Sequence, residues 1–326
     1  MDAKITKKRL AHMLSYDWLK IIGLGVALIL FWNLIFTMTA TPIQPSQEFT
    51  VFNHHANRPF PDELYYDLMD AVDDVFSYEV IEATTNDVAR SGDYASLMYD
   101  VRLQTDEGDM MFIPKIADPA TAYEENGETK YSGDYLQSFL RDRRAYLYDL
   151  DPQTEGGYFY ELKEFLNGYY TDYKNAETLD EEKVERDFII RAKANKDKRF
   201  KTEEQLASGA RKEVERIEKY RDALIKIETF LQQGIIAFEE VEAISGKYHF
   251  KGKFALNICP NEGAMGELKK YASYVETGVD EEGKETYRIT AKDMCVMFFN
   301  TKGTQASFEY ESLLYVVHLI ESCKAA

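Results

Sequence analysis

Few residues in this chain combine the type and spacing that chemistry demands, and the first of them are His54 and His55. Neighbours in a strand point to opposite faces, so this pair cannot share one metal ion without a bend, whereas in a loop both can meet a ligand. His12, His249 and His318 are scattered. Carboxylates are abundant, and the pairs Glu239–Glu240 and Asp73–Asp74 are of the type used in acid–base work, a role that is decided by their separation in space. Tyr158, Tyr160, Tyr169, Tyr170 and Tyr173 offer flat faces with hydroxyl tips, suited to a sugar or aromatic ligand or to packing between helices. Arg191, Lys193, Lys196, Lys198, Arg199 and Lys201 form a basic cluster that either meets an anionic surface or is a solvated helix face.

Other chemistries leave no trace. The sequence holds no G-x-S-x-G elbow, H-E-x-x-H helix, phosphate-cradling G-x-x-x-x-G-K-[ST] or G-x-G-x-x-G turn. No C-x-x-C or H-x-x-x-H spacing suggests a metal, and no cofactor is implied. Cys259, Cys295 and Cys323 are too few for a disulfide framework; the first two fall in strand-like runs and either pair or remain buried thiols. A net charge of −18 argues against a nucleic-acid partner, because no positive field exists to hold phosphates.

The elements that must position these residues follow from periodicity. Residues 49–52 alternate as a strand does, and Pro61 opens a helix with Leu64, Leu68, Val72, Val75 and Phe76 on one stripe. Residues 78–83 read as a second strand followed by a polar loop at 84–87. A helix capped by Ser91-Gly92-Asp93 then runs to Glu107, and residues 110–113 form a third strand stopped by Pro114. This βαβαβ order builds a parallel sheet, whose ligands gather at the carboxyl ends of its strands. The expected ligand-binding residues are therefore Asn53, His54 and His55, then Thr84, Thr85 and Asn86, then Lys115.

Residues 117–133 read as a surface excursion, and the absence of proline between Pro152 and Pro260 marks a helical region at about 135–234. Helices are expected at 135–150 and 158–173, and capping boxes at Thr178-x-x-Glu181 and Thr202-x-x-Gln205. The second box opens a long amphipathic helix that ends near Gly234, either a lobe wall or a coiled-coil arm. A strand at 253–258, a short helix at 264–275, a buried strand at 294–299 and a final helix capped by Ser307 complete the chain.

Residues 21–40, IIGLGVALILFWNLIFTMTA, are apolar over a length that crosses the ~30 Å core of a bilayer as a helix. Lys4, Lys7, Lys8, Arg9 and Lys20 precede them, and no lysine or arginine follows until Arg58. Residues 1–20 are thus expected in the cytoplasm, 21–41 in the membrane, 42–47 as a proline-bearing linker and 48–326 outside the cell. The apolar core is long for a cleaved signal, and Met38-Thr39-Ala40 lacks the small residue such a site needs. The fold class expected is α/β: a single N-terminal transmembrane helix, then a mainly parallel-sheet exterior domain in two lobes.

FTVFNHH at 49–55, YEVIEATTND at 78–87 and YASLMYDVRLQTDEGD at 94–109 running into MMFIP resemble a bacterial extracellular solute-binding protein of the ABC-importer type, with its periplasmic-binding-protein-like fold. The resemblance implies a non-catalytic module whose lobes close on a sugar, peptide or other small solute and which works with a membrane transporter. Two departures stand out: no cysteine follows the apolar run to take a lipid, and Met110-Met111 replaces the family's Pro-Asp step. The alternative is a cell-envelope structural or interaction component acting through its charged helices; an extracellular hydrolase is third.

Overall fold

The computed structural model describes residues 7–39, 47–90, 92–105, 107–280, 283–300 and 310–324. The chain divides into two compact units, Met1–Ile43 and Gln44–Ala326. Apart from Gln47, the expected linker lies outside the described residues, as do Ser91 and Ser307 of the expected caps.

The first unit holds α1 (Lys7–Thr39), of which Trp18–Phe36 has a mean hydropathy of 2.2 and none of its length buried. By length and composition this is a helix able to cross a membrane.

The second unit begins with the expected alternation: β1 (Glu48–Asn53), α2 (Asp62–Asp74), β2 (Glu82–Asp87), α3 (Ala95–Gln104) and β3 (Met110–Pro114). β1 pairs in parallel with β2 on one side and β3 on the other. Gly108 makes the turn into β3 at φ +111°, where a Cβ would come within 2.6 Å of the Phe52 ring. The chain then leaves the sheet through an exposed hairpin, β4 (Ala122–Glu125) and β5 (Glu128–Tyr131), where the sequence suggested only an excursion. It continues through α4 (Tyr135–Arg143), α5 (Tyr158–Asn167), α6 (Glu181–Ala194) and α7 (Glu203–Gln232).

The return is made by β6 (Ala237–Ser245), β7 (Tyr248–Asn257), a second hairpin of β8 (Tyr274–Val279) and β9 (Glu285–Thr290), and β10 (Met294–Phe298), before α8 (Glu311–Cys323). The central sheet runs β2-β1-β3-β10-β7-β6. It is parallel from β2 to β3 and antiparallel from β3 to β6. Gln44–Ala326 forms one compact unit on this continuous sheet, so the two expected lobes are not separated in it. Beyond the β4–β5 hairpin, the segment between β3 and β6 is helical and adds no strand to the central sheet.

The alternation of side chains splits the core in two. Phe49, Val51, Phe112, Val296 and Phe298 face a deep layer of α2, α5, α7 and α8. Phe52, Met111, Ile113, Cys295 and Met297 face a thin layer of α3 and α4. The long helix α7 belongs to the deep layer, burying Ile217, Tyr220, Leu224 and Ile227, and is a wall of the domain. Its capping box forms as expected: Gln205 N donates to Thr202 Oγ1 and Thr202 N to Gln205 Oε1. The box expected at Thr178 does not, because Asp180 caps α6 by accepting from Lys183 N, while the Thr178 hydroxyl donates to backbone carbonyls.

Two further readings are corrected, and one strand is new. The second strand begins at Glu82, not Tyr78, because the chain turns at Ser77, whose carbonyl accepts from Val80 N. Residues 264–275 make a short 3-10 turn and enter β8. The acidic strand β6, with Glu239, Glu240 and Glu242, has no apolar alternation strong enough to announce it.

Candidate functional site

The strand ends expected to carry a ligand are only partly free to do so. Asn53 ends β1 and is buried; its Nδ2 donates to Arg58 O and Asp87 Oδ1, and its Oδ1 accepts from Asn57. It holds the loop that follows it. Thr84, Thr85 and Asn86 lie inside β2 and not in a loop after it, paired in register with Thr50, Val51 and Phe52, and Thr84 Oγ1 meets Thr50 Oγ1 and Glu48. The β-branched side chains favour strand at these positions. Lys115 leaves β3 and pairs with Glu239, which also accepts from Asn257.

The histidines behave differently, because β1 stops at Asn53 and the bend beyond it brings both rings together. Their centroids lie 4.1 Å apart. His54 is buried, stacks on Tyr99 at 5.8 Å, and meets the edges of Tyr135 and Phe139. Its Nδ1 accepts from Ala56 N at 3.2 Å, which places the proton of the neutral ring on Nε2. Burial first, then His55 and Arg143, hold its pKa well below the ordinary histidine value. His55 is exposed, donates its backbone N–H to the Tyr99 hydroxyl, and stands perpendicular to Tyr135 at 5.4 Å. The pair cannot be read as a strand dipeptide, and its convergence depends on the bend alone.

Sequence reasoning missed Tyr99, Tyr135, Arg143 and Asp118, which complete this cluster. Arg143 lies over the Tyr99 and Phe139 rings at 5.3 and 5.2 Å, donates to Ser96, and pairs with Asp100, tying α4 to α3. Asp118 accepts from Ala120 N and Ser138 Oγ. Tyr135 had a readable signal: Asp134 and Gln137 form a capping box that fixes it in the first turn of α4. Burial raises the pKa of both Asp134 and Tyr135, the latter with help from Asp118. Asn57 Oδ1, beside Asn53, is buried and meets no donor among the described residues.

Next to this cluster, across Ser138, opens a cleft of about 330 Å³ lined by Thr121, Ser132, Gln137, Arg141, Glu242 and Ile244 among others. A volume of this size accepts a small ligand or a short piece of chain. A second cleft of about 250 Å³ lies between α7 and α8, with Leu314 and Val317 on its floor and Lys226 paired to Glu321 at its rim.

Of the remaining candidates, Lys193, Lys196, Lys198 and Lys201 are exposed, as are Asp73 and Asp74. Tyr158 and Tyr170 are buried in the deep core, and Arg191 and Arg199 pair with Glu213, Glu79 and Asp197. All three cysteines are free and buried; burial pushes the Cys259 thiol up to about 11 and the Cys323 thiol up to about 12. Among the described residues no group of three or more His, Cys, Asp or Glu is placed to hold a metal. No family model, no curated protein and no solved structure matches the chain.

Proposed function

We propose that the protein is a non-catalytic ligand-binding module held to a membrane by α1, its N-terminus in the cytoplasm and the unit Gln44–Ala326 on the far side. Charge asymmetry about α1 supports the orientation. The single observation that carries the binding role is the cleft walled by Thr121, Gln137, Arg141 and Glu242, which adjoins the histidine cluster through Ser138, the donor to Asp118. A sugar, peptide or other small solute is the ligand class this reading takes over from the resemblance, with a membrane transporter as partner. The burial of α7 in the deep core, between α6 and α8, favours such a module over a protein with projecting coiled-coil arms.

A second reading rests on β8 and β9. Val275 pairs with Ile289 and Thr277 with Tyr287, so Val275, Val279, Tyr287 and Ile289 share one exposed hairpin face, as in an interaction component.

Thermal unfolding of residues 44–326 against sugars, amino acids, peptides and metal ions separates the two. A ligand at a hundred times its Kd stabilises by about 2.7 kcal/mol, a shift of a few degrees. A shift that is lost in Gln137→Ala and Arg141→Ala supports the module. No shift from any compound, with a folded sample, rejects it.

A further inference from the structure

The ligand class follows from what walls the cleft. β6 is the last strand of the central sheet and hydrogen-bonds only to β7, so its outer edge presents a row of N–H and C=O groups to which no described strand pairs. Such a row matches another extended backbone. The cleft runs along that strand at Glu242, Ala243 and Ile244, with Gln137 and Arg141 of α4 and Thr121 on its other walls. Ile244 is 65% exposed there.

Charge selects among extended backbones. β6 carries Glu239, Glu240 and Glu242 in nine residues. Lys115 meets Glu239 and Lys251 meets Glu240, whereas Glu242 meets His249, which is charged only when protonated. If two copies of the chain joined antiparallel through β6, centred on Val241, Glu240 of each would face Glu242 of the other, a like-charge juxtaposition that opposes pairing. A basic segment has the opposite preference.

We propose that the cleft takes an extended peptide, paired backbone to backbone with residues 241–245 of β6 and carrying a basic side chain opposite Glu242. The inference rests on the binding-module reading and narrows it to one ligand class. Pairing of this kind uses the N–H groups of alternate peptide residues only.

The test uses the full-length protein in detergent micelles and a labelled nine-residue probe, Lys-Val-Thr-Val-Lys-Val-Thr-Val-Lys, followed by fluorescence anisotropy. Two versions are methylated at the backbone nitrogens of odd or even residues. Saturable binding is expected, with one methylated set weakened about tenfold or more and the other within about threefold. Glu242→Lys weakens the parent probe about fivefold or more, with unfolding unchanged, and the difference shrinks at high salt. Equal effects of the two methylated sets, an unaffected Glu242→Lys protein, or a dimer in sedimentation that Ile244→Lys dissociates would each overturn the proposal. If sugars or amino acids shift the unfolding temperature while the probe fails to bind, this ligand class falls and the binding module stands.

Discussion

The two faces of the sheet handle buried polar groups in opposite ways. On the deep face the buried carboxylates are met by donors: Glu213 pairs with Arg216 and Arg191 and accepts from Tyr78, and Glu311 accepts from Ser77 and Tyr220. Further along, Asp67 accepts from Tyr315 and faces His318. On the thin face His54 is taken inside as a neutral ring among aromatic neighbours, while His55, one residue away, stays at the surface. The deep face spends its polar groups on cohesion, and the thin face leaves several at an opening. That asymmetry is where binding is expected and where disruption should read differently.

The largest effect should come from the deep face. Arg216 is fully buried and donates from Nε and Nη2 to the two oxygens of Glu213. Arg216→Ala leaves Glu213 with less compensation in a dry site and is expected to cost about 3–5 kcal/mol, measured by urea unfolding. The double replacement Arg216→Met, Glu213→Leu should recover part of that loss, since it removes both buried charges but also takes Glu213 away from Arg191 and Tyr78. A single variant as stable as the parent would break the contrast between the faces.

This node also marks a boundary of what the sequence makes legible. The βαβαβ order, α7 with its Thr202–Gln205 cap and the buried strand β10 follow from periodicity and local hydrogen bonding, which nearest neighbours encode. Arg216 lies on a helix rich in charge, so composition places it in solvent; it is inside because Glu213 meets it there, and Glu213 is held in turn by Tyr78 from a distant segment. The candidate site divides the same way. His54 and His55 stand out by type, but their stacking depends on where β1 ends, and Thr84 to Asn86 were displaced by a strand boundary only a few residues away. The cleft is formed by α4, the loop just before it and β6, which is distant in sequence, and no local pattern joins β6 to the other two.

Acidity and alkalinity should act on opposite faces. His318 has its pKa raised, chiefly by its hydrogen bond to Asp67, so its contribution is complete below about pH 6.5, the unfolded value, and is lost as pH rises through the folded value. His54 has its pKa depressed, so its contribution is complete above about pH 6.5 and is lost as pH falls toward the folded value. Urea midpoints across this range should show His318→Phe flattening the alkaline limb and His54→Phe the acid limb. Both variants altering the same limb would mean that the two histidines do not differ as their surroundings imply.

Tyr99→Phe is a finer probe of the thin face. The ring stays between His54 and Arg143, but the hydroxyl that accepts from His55 N–H at 3.0 Å is gone. Loss of one hydrogen bond should lower stability by about 1 kcal/mol, with the packing retained. A cost several times larger would show that the hydroxyl supports more than the His55 backbone.

The smallest effect on stability is expected closest to the opening. His55 is exposed, and its ring meets His54 and Tyr135 from the solvent side, so His55→Ala should change the unfolding free energy by no more than about 0.5 kcal/mol. The backbone N–H that Tyr99 accepts survives the substitution, and with it the bend that sets the pair. Binding is the property at stake, since Asp118, whose charge acts on the His55 ring, accepts from Ser138 in the cleft wall. A ligand found by thermal unfolding should lose affinity for His55→Ala while the protein's own midpoint stays in place. If instead the midpoint falls and affinity holds, His55 belongs with the cohesive groups of the deep face, and the division between the two faces fails at the residue meant to define it.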